Sequence, residues 1–145
     1  MAEDLSMSQT RLERAGRRFG YSVGTAMHAV LLWLVNVSPG WEAVPFLTGG
    51  AAPAIRWVNA SLLVLLVANL CCVFWPSVQL EAAGNLVAGG LSLAALRRMW
   101  IDFPFDVAPS SGWHLPLRLL VALAVAGTLI AIFSALSTLF RRPVS

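Results

Sequence analysis

The chain has 145 residues, of which 58% are hydrophobic and 12% charged, with a formal net charge of +3 and a mean hydropathy of +0.75. An average soluble domain carries about 25% charged residues, so the composition argues against an ordinary water-soluble fold and points to a membrane. All ten basic residues are arginine, a bias that suits a GC-rich bacterial host and carries no function by itself.

A helix needs about 20 apolar residues to cross the roughly 30 Å hydrocarbon core. The charge-free runs 19–37, 57–80, 82–96 and 119–140 fill the chain with four such segments and leave no room for a soluble domain. The expected fold is all-α: a transmembrane four-helix antiparallel bundle over 19–140, with helices at about 19–37, 54–75, 79–101 and 115–140. A basic segment, 1–18, precedes it and a short tail, 141–145, follows.

In the first segment, "SQTRLERAGRRF" puts Arg11, Arg14 and Arg18 at helical spacing, as in a short amphipathic helix lying on anionic cytoplasmic headgroups. With Arg17 they precede the first apolar run, and Arg141 and Arg142 follow the last. An arginine excess at both ends places both termini in the cytoplasm of a bacterial cell whose inner membrane the chain crosses. Membrane orientation accounts for these arginines, so no nucleic-acid partner is expected. Signal cleavage is not expected either, because the run is long enough to span and "VNVSPGW" lacks a small-x-small site.

The first apolar helix contains "GYSVGTAMHAVLLWLVN", with Gly20, Gly24 and His28 recurring every fourth residue. His28 lies about 13 Å beyond Phe19 at helical rise, near the midplane. An ionisable residue at that depth is a functional candidate, but no acid lies at matching depth for a proton relay. The first reading of His28 is an interhelical hydrogen-bond donor; a ligand or solute site, and metal or proton chemistry, are its rivals. His114, the other histidine, lies too far out to serve as a second haem ligand.

The second helix carries Asn69 and the adjacent Cys71 and Cys72, whose spacing fits no zinc or redox motif. They read as packing residues. The third segment is the shortest: its 15 uncharged residues cover only about 22 Å. It spans if Glu81 sits at the headgroups, Arg97 and Arg98 snorkel, and Trp100 joins the interfacial belt. Small residues recur at Gly84, Ala88 and Ser92, and on the fourth helix at Ala124, Gly127, Ala131 and Ala135. Such stripes let membrane helices approach closely. Asn69 and Asn85 lie about equally far from the turn at Ser77, so they are expected to bond each other; a polar lining for a solute path is the rival.

The two longer connections, 38–53 and 102–114, then face outward and share a spelling, "WEAVPF" at 41–46 and "WIDFPF" at 100–105. Duplication of one helical hairpin would explain it. Trp41, Phe46, Trp100, Phe105 and Trp113 form an expected outer aromatic collar. Glu42, Arg56, Arg97, Arg98, Asp102, Asp106 and Arg118 form an outer charge cluster, read as a structural ion network or as a surface for an anionic partner.

The stretch "WLVNVSPGWEAVPFLT", 33–48, together with "FPFD" at 103–106, resembles small four-helix integral membrane proteins of actinobacteria, a group with no assigned activity. The resemblance implies the same topology and brings no site residues. No phosphate-cradling glycine motif, no His-Glu-x-x-His and no serine with a base nearby occurs in the chain, and no cofactor or metal is expected. The leading expectation is a non-catalytic structural or accessory component of a membrane complex, or a homo-oligomer. The rival is a small transporter or ligand-binding bundle using His28, Asn69 and Asn85. An outer-surface enzyme built on Asp102, Asp106 and His114 is a third.

Overall fold

The computed structural model describes residues 2–107 and 112–140; the tail expected over 141–145 lies outside them. Among the described residues the regular elements are helices, without strands: the long ones are α1 (Ala2–Asn36), α2 (Ala52–Phe74), α3 (Val78–Asp102) and α4 (His114–Phe140). Unlike α1, the helices α2, α3 and α4 form no marked amphipathic stripe, so their boundaries are set by punctuation. Pro53 stands in the first turn of α2, where a missing N–H costs nothing. Ser77 caps α3, its hydroxyl accepting from the Leu80 amide at 3.3 Å.

One boundary differs from expectation. The basic N-terminal segment does not form a separate helix: α1 is continuous over 35 residues, about 52 Å at helical rise. The third segment, expected at about 79–101, is an unbroken 25-residue helix, with Arg97, Arg98 and Trp100 extending it beyond its uncharged stretch.

Each helix packs mainly on its sequence neighbour: α1 on α2, α2 on α3 and α3 on α4. The seam between α1 and α4 is not among the packed pairs, so the bundle is open along one side. Glycine decides how closely the central pairs approach. A side-chain carbon on Gly84 would fall 2.5 Å from the Ala68 Cβ, and one on Gly89 would fall 2.6 Å from the Ile132 Cγ1. These contacts bring α2 and α4 onto opposite parts of α3, with Ala82, Ala88 and Ala95 buried along it. Gly24 does the same for α1: a carbon added there would fall 2.8 Å from the Asn69 Oδ1 of α2. Gly20, expected on the same packing face, has nothing within 4 Å of an added carbon; α1 has passed beyond the end of α2 there.

The long connections meet each other at one end, here the loop end; the short turn at 75–77 marks the turn end. The Thr48 amide donates to the Pro104 carbonyl and the Asp106 amide to the Phe46 carbonyl, both at 2.9 Å. Leu47 and Phe105 face each other in the antiparallel bridge between. The two "PF" stretches of similar spelling are thus clasped together, with Pro104 fully buried. A left-handed turn at Phe103, φ +35°, stops α3 and turns the chain into this clasp, a conformation that bulky residues rarely adopt.

Adding a methyl at Gly84 forces two backbones apart, whereas the same change at Gly20 meets open space. Gly84→Ala is expected to lower stability by about 1–3 kcal/mol, as overpacking does, and Gly20→Ala to leave it unchanged or slightly raised. Reversible unfolding in mild detergent, followed by circular dichroism, reads both.

Candidate functional site

The polar residues of the helices fall into three groups by what their side chains meet. The first group bonds within its own helix. His28 Nδ1 lies in hydrogen-bond contact with the Gly24 carbonyl one turn earlier, so the expected interhelical bond is not what satisfies this nitrogen. Gly24 makes room for Asn69, and its carbonyl is left within reach of the imidazole. Thr25 donates to the Tyr21 carbonyl at 2.8 Å in the same way.

The second group ties helices together. The Asn36 and Asn59 amides bond reciprocally, at 3.0 and 2.6 Å, and clasp α1 to α2 near the loop end. At the turn end the Tyr21 hydroxyl donates to Glu81 Oε2 at 2.8 Å, which joins α1 to α3 over the end of α2; Tyr21 is only 7% exposed. Neither pair was anticipated from sequence. The signal for Asn36 and Asn59 was present, since Asn36 adjoins the connection 37–51 and Asn59 lies about two turns beyond it. For Tyr21 and Glu81, 60 residues apart, nothing local pointed to the contact.

The expected Asn69 to Asn85 bond is not formed. Asn69 donates to the Leu65 carbonyl at 2.8 Å and lies against Gly24 of α1, whereas Asn85 lines a groove between α3 and α4. Equal depth was read correctly from the turn, but the helical rotation that decides which neighbour a side chain meets was not. The three candidates His28, Asn69 and Asn85, expected to lie inside the membrane, therefore do not form one site.

That groove holds the third group. It has a volume of about 700 Å³ and is lined on α3 by Glu81, Asn85 and Ser92 and on α4 by Thr128, Ser134 and Thr138, among alanine and glycine walls. The Thr128 and Thr138 hydroxyls donate to carbonyls one turn back, at 2.7 and 3.0 Å, which leaves their oxygens free to accept. Asn85, Ser92 and Ser134 make no side-chain hydrogen bond among the described residues. A second groove, on the other side of the α2–α3 contact, measures about 330 Å³ and is walled by Leu63, Val64, Val67, Cys71 and Leu80, with no hydrogen-bonding amide, hydroxyl or carboxylate. Of these two grooves, one alone carries hydrogen-bonding amide, hydroxyl and carboxylate side chains.

At the loop end the expected charge network is not formed. Among the described residues the ion pair there is Arg98 with Asp102 at 4.0 Å, both substantially exposed, a geometry worth little. Arg118 instead lies over the rings of Trp100 and Phe103, at 5.5 and 5.3 Å, within the range of a cation–π contact. Glu42, Arg56, Arg97 and Asp106 are exposed. Trp100 and Trp113 are largely exposed, as expected of a collar, with Phe46 beside them, while Trp41 and Phe105 are half-buried. His114 stacks on Phe103 at 4.4 Å and no hydrogen bond joins it to Asp102 or Asp106 among the described residues. No group of three or more metal-ligating side chains occurs among them.

No protein-family model, curated protein or solved structure matches the chain. Two helical stretches are long and apolar enough to cross a membrane, Gly49–Phe74 and His114–Phe140. The other two helices carry the interhelical partners Tyr21, Asn36 and Glu81 and the groove residue Asn85, which lowers their hydropathy.

The reciprocal amides make a clean pairwise test. Asn36→Ala and Asn59→Ala are expected to couple by about 0.6–2 kcal/mol, the range of interhelical hydrogen bonds in membranes. Asn69→Ala and Asn85→Ala are expected to be additive within about 0.5 kcal/mol. A double-mutant cycle on detergent unfolding checks both.

Proposed function

We propose that the chain is a non-catalytic integral membrane component whose four helices cross the bilayer antiparallel, with both termini in the cytoplasm, and that it works by association, as a homo-oligomer or as an accessory subunit. The succession of contacts supports the antiparallel order: Gly24 with Asn69, Asn36 with Asn59, Ala68 with Gly84, and Gly89 with Ile132. The turn end, next to Arg14, Arg17 and Arg18, is then cytoplasmic, and the clasped loops with their tryptophans lie at the outer headgroups.

Spanning by α1 and α3 is supported by how their polar groups are handled. Unpaired polar groups in hydrocarbon cost several kcal/mol. Here Tyr21, Asn36 and Glu81 are paired between helices, and His28 has a bond within its own. The observation that carries the association reading is the open α1–α4 seam beside a groove with polar walls. Lipid tails cannot satisfy Asn85, Ser92 and Ser134, so a protein surface closing that side is favoured over a solitary chain.

A solute- or ligand-binding bundle is the second reading, favoured by the size and polarity of the same groove. Its sequence-based form, with His28, Asn69 and Asn85 as one site, is replaced by Glu81, Asn85, Ser92, Thr128, Ser134 and Thr138.

Gly127, exposed on the groove side of α4 with open space around it, is the position to probe. In membranes treated with a thiol oxidant or a short bifunctional thiol reagent, Gly127→Cys is expected to give a discrete cross-linked product, and Phe133→Cys on the opposite face is not. A strictly monomeric mass in mild detergent, with no cross-link and no copurifying protein, would overturn the association reading. For orientation, an impermeant thiol label is expected to reach Ser38→Cys from outside intact cells and Ser77→Cys only after permeabilisation.

A further inference from the structure

In a lipid environment the α3–α4 groove poses a definite question, because its walls differ from every other membrane-facing surface of the chain. Of the polar side chains on α3 and α4 inward of their ends, Glu81, Asn85, Ser92, Thr128, Ser134 and Thr138 line it, Ser137 being the exception, while the comparable groove beside the α2–α3 contact has none of that kind. Polar side chains turn from lipid toward protein or water. Along α3 the lining runs from Glu81 to Ser92, about 16 Å at helical rise, and along α4 from Thr138 to Ala124, about 21 Å.

The two ends of the groove are unlike. At the turn end Val78 and Glu81 are exposed, so that end is open. One turn beyond Ser92 and Ala124 toward the loop end, Ala95 and Val121 are each 2% exposed; the helices close there, and Arg118 over Trp100 and Phe103 lies behind the seal. Along its length the groove is therefore shut at the loop end and open at the turn end, with its lateral side left open by the unpacked α1–α4 seam. The Tyr21 hydroxyl holds Glu81 Oε2 at the turn-end mouth, and the lining contains no arginine or histidine. A volume of about 700 Å³ has room for roughly 20 waters at liquid density.

We infer that the groove is a water-filled vestibule that opens at the cytoplasmic face, reaches past the bilayer midplane and ends blind, with Glu81 at its mouth favouring small cationic and neutral solutes over anions. This rests on the membrane orientation given above; a partner closing the α1–α4 side would wall the vestibule laterally without filling it. The focusing of potential by a single carboxylate in a low-dielectric mouth supplies the selectivity.

The test uses the full chain with Cys71→Ala and Cys72→Ala, in inside-out and right-side-out vesicles, and impermeant methanethiosulfonate reagents of either charge. Ser92→Cys is expected to react from the cytoplasmic side at least tenfold faster than Val87→Cys, which lies on an exposed face and about 7.5 Å nearer that side at helical rise. The cationic reagent should be favoured over the anionic one relative to a free thiol in solution, and Glu81→Gln, which keeps an acceptor for Tyr21, should reduce that preference severalfold. Reaction at Ser92→Cys as slow as at Val87→Cys, in a protein that elutes and unfolds like the parent, overturns the vestibule. So does an intermolecular disulfide at Ser92→Cys without reagent access, since a partner helix would then fill the groove. Access only from the outer side overturns the orientation and the cytoplasmic mouth together. Fast cytoplasmic reaction in a strictly monomeric chain sustains the vestibule while the association reading fails.

Discussion

The close approach of α3 to its two neighbours is the constraint on which the other features depend. Gly84 admits the Ala68 methyl and Gly89 admits Ile132, and with both contacts made, α3 becomes a spine flanked by α2 and α4. Small residues are the means by which helices associate where there is little hydrophobic drive between them. The rotation that these glycines impose on α3 also fixes where its polar residues point: Glu81, Asn85 and Ser92 all turn into the α4 side.

From that rotation follow the polar ties. Glu81 at the start of α3 is brought within reach of Tyr21 on α1, a helix that otherwise packs on α2. Asn36 and Asn59 hold the opposite end of the α1–α2 pair, so the second half of α1, from Tyr21 to Asn36, is anchored at both ends by side-chain bonds and between them by the fit of Asn69 against Gly24. Among the described residues nothing comparable ties α4 to α1. The loop clasp, with Pro104 buried and Thr48 and Asp106 bonded across it, joins the α1–α2 connection to the end of α3 and leaves the long side of α4 free. An open groove is the geometric remainder of a row of three tight contacts without a fourth.

The histidine that stands out most in the sequence illustrates how an i−4 carbonyl competes for a polar side chain inside a helix. A Ser, Thr, Asn or His in an apolar helix can satisfy one donor on its own backbone without any partner, as His28, Thr25, Thr128 and Asn69 do. Interhelical bonds form where the local backbone does not suffice or where two amides present matched donors and acceptors, as in the Asn36 to Asn59 pair. Arg118 shows the same competition at the loop end, lying over two aromatic rings although carboxylates lie on the neighbouring elements.

The sequence by itself determined the number of helices and their approximate limits, because apolar run length and the Pro, Gly and Ser punctuation act locally; it also marked Gly24, Gly84 and Ala88 as sites of close packing. It marked the two "PF" connections as related without revealing that they bind each other. What it left undecided was rotation about each helix axis and the identity of each neighbour. The helices α2, α3 and α4 show little amphipathic asymmetry, so position along the axis can be counted from the chain while facing cannot. Asn69 and Asn85 therefore part company despite equal depth, Gly20 meets nothing while Gly24 meets Asn69, and Tyr21 finds Glu81 across 60 residues. Only the tertiary structure decided these, because each depends on which small residue lets which neighbour approach.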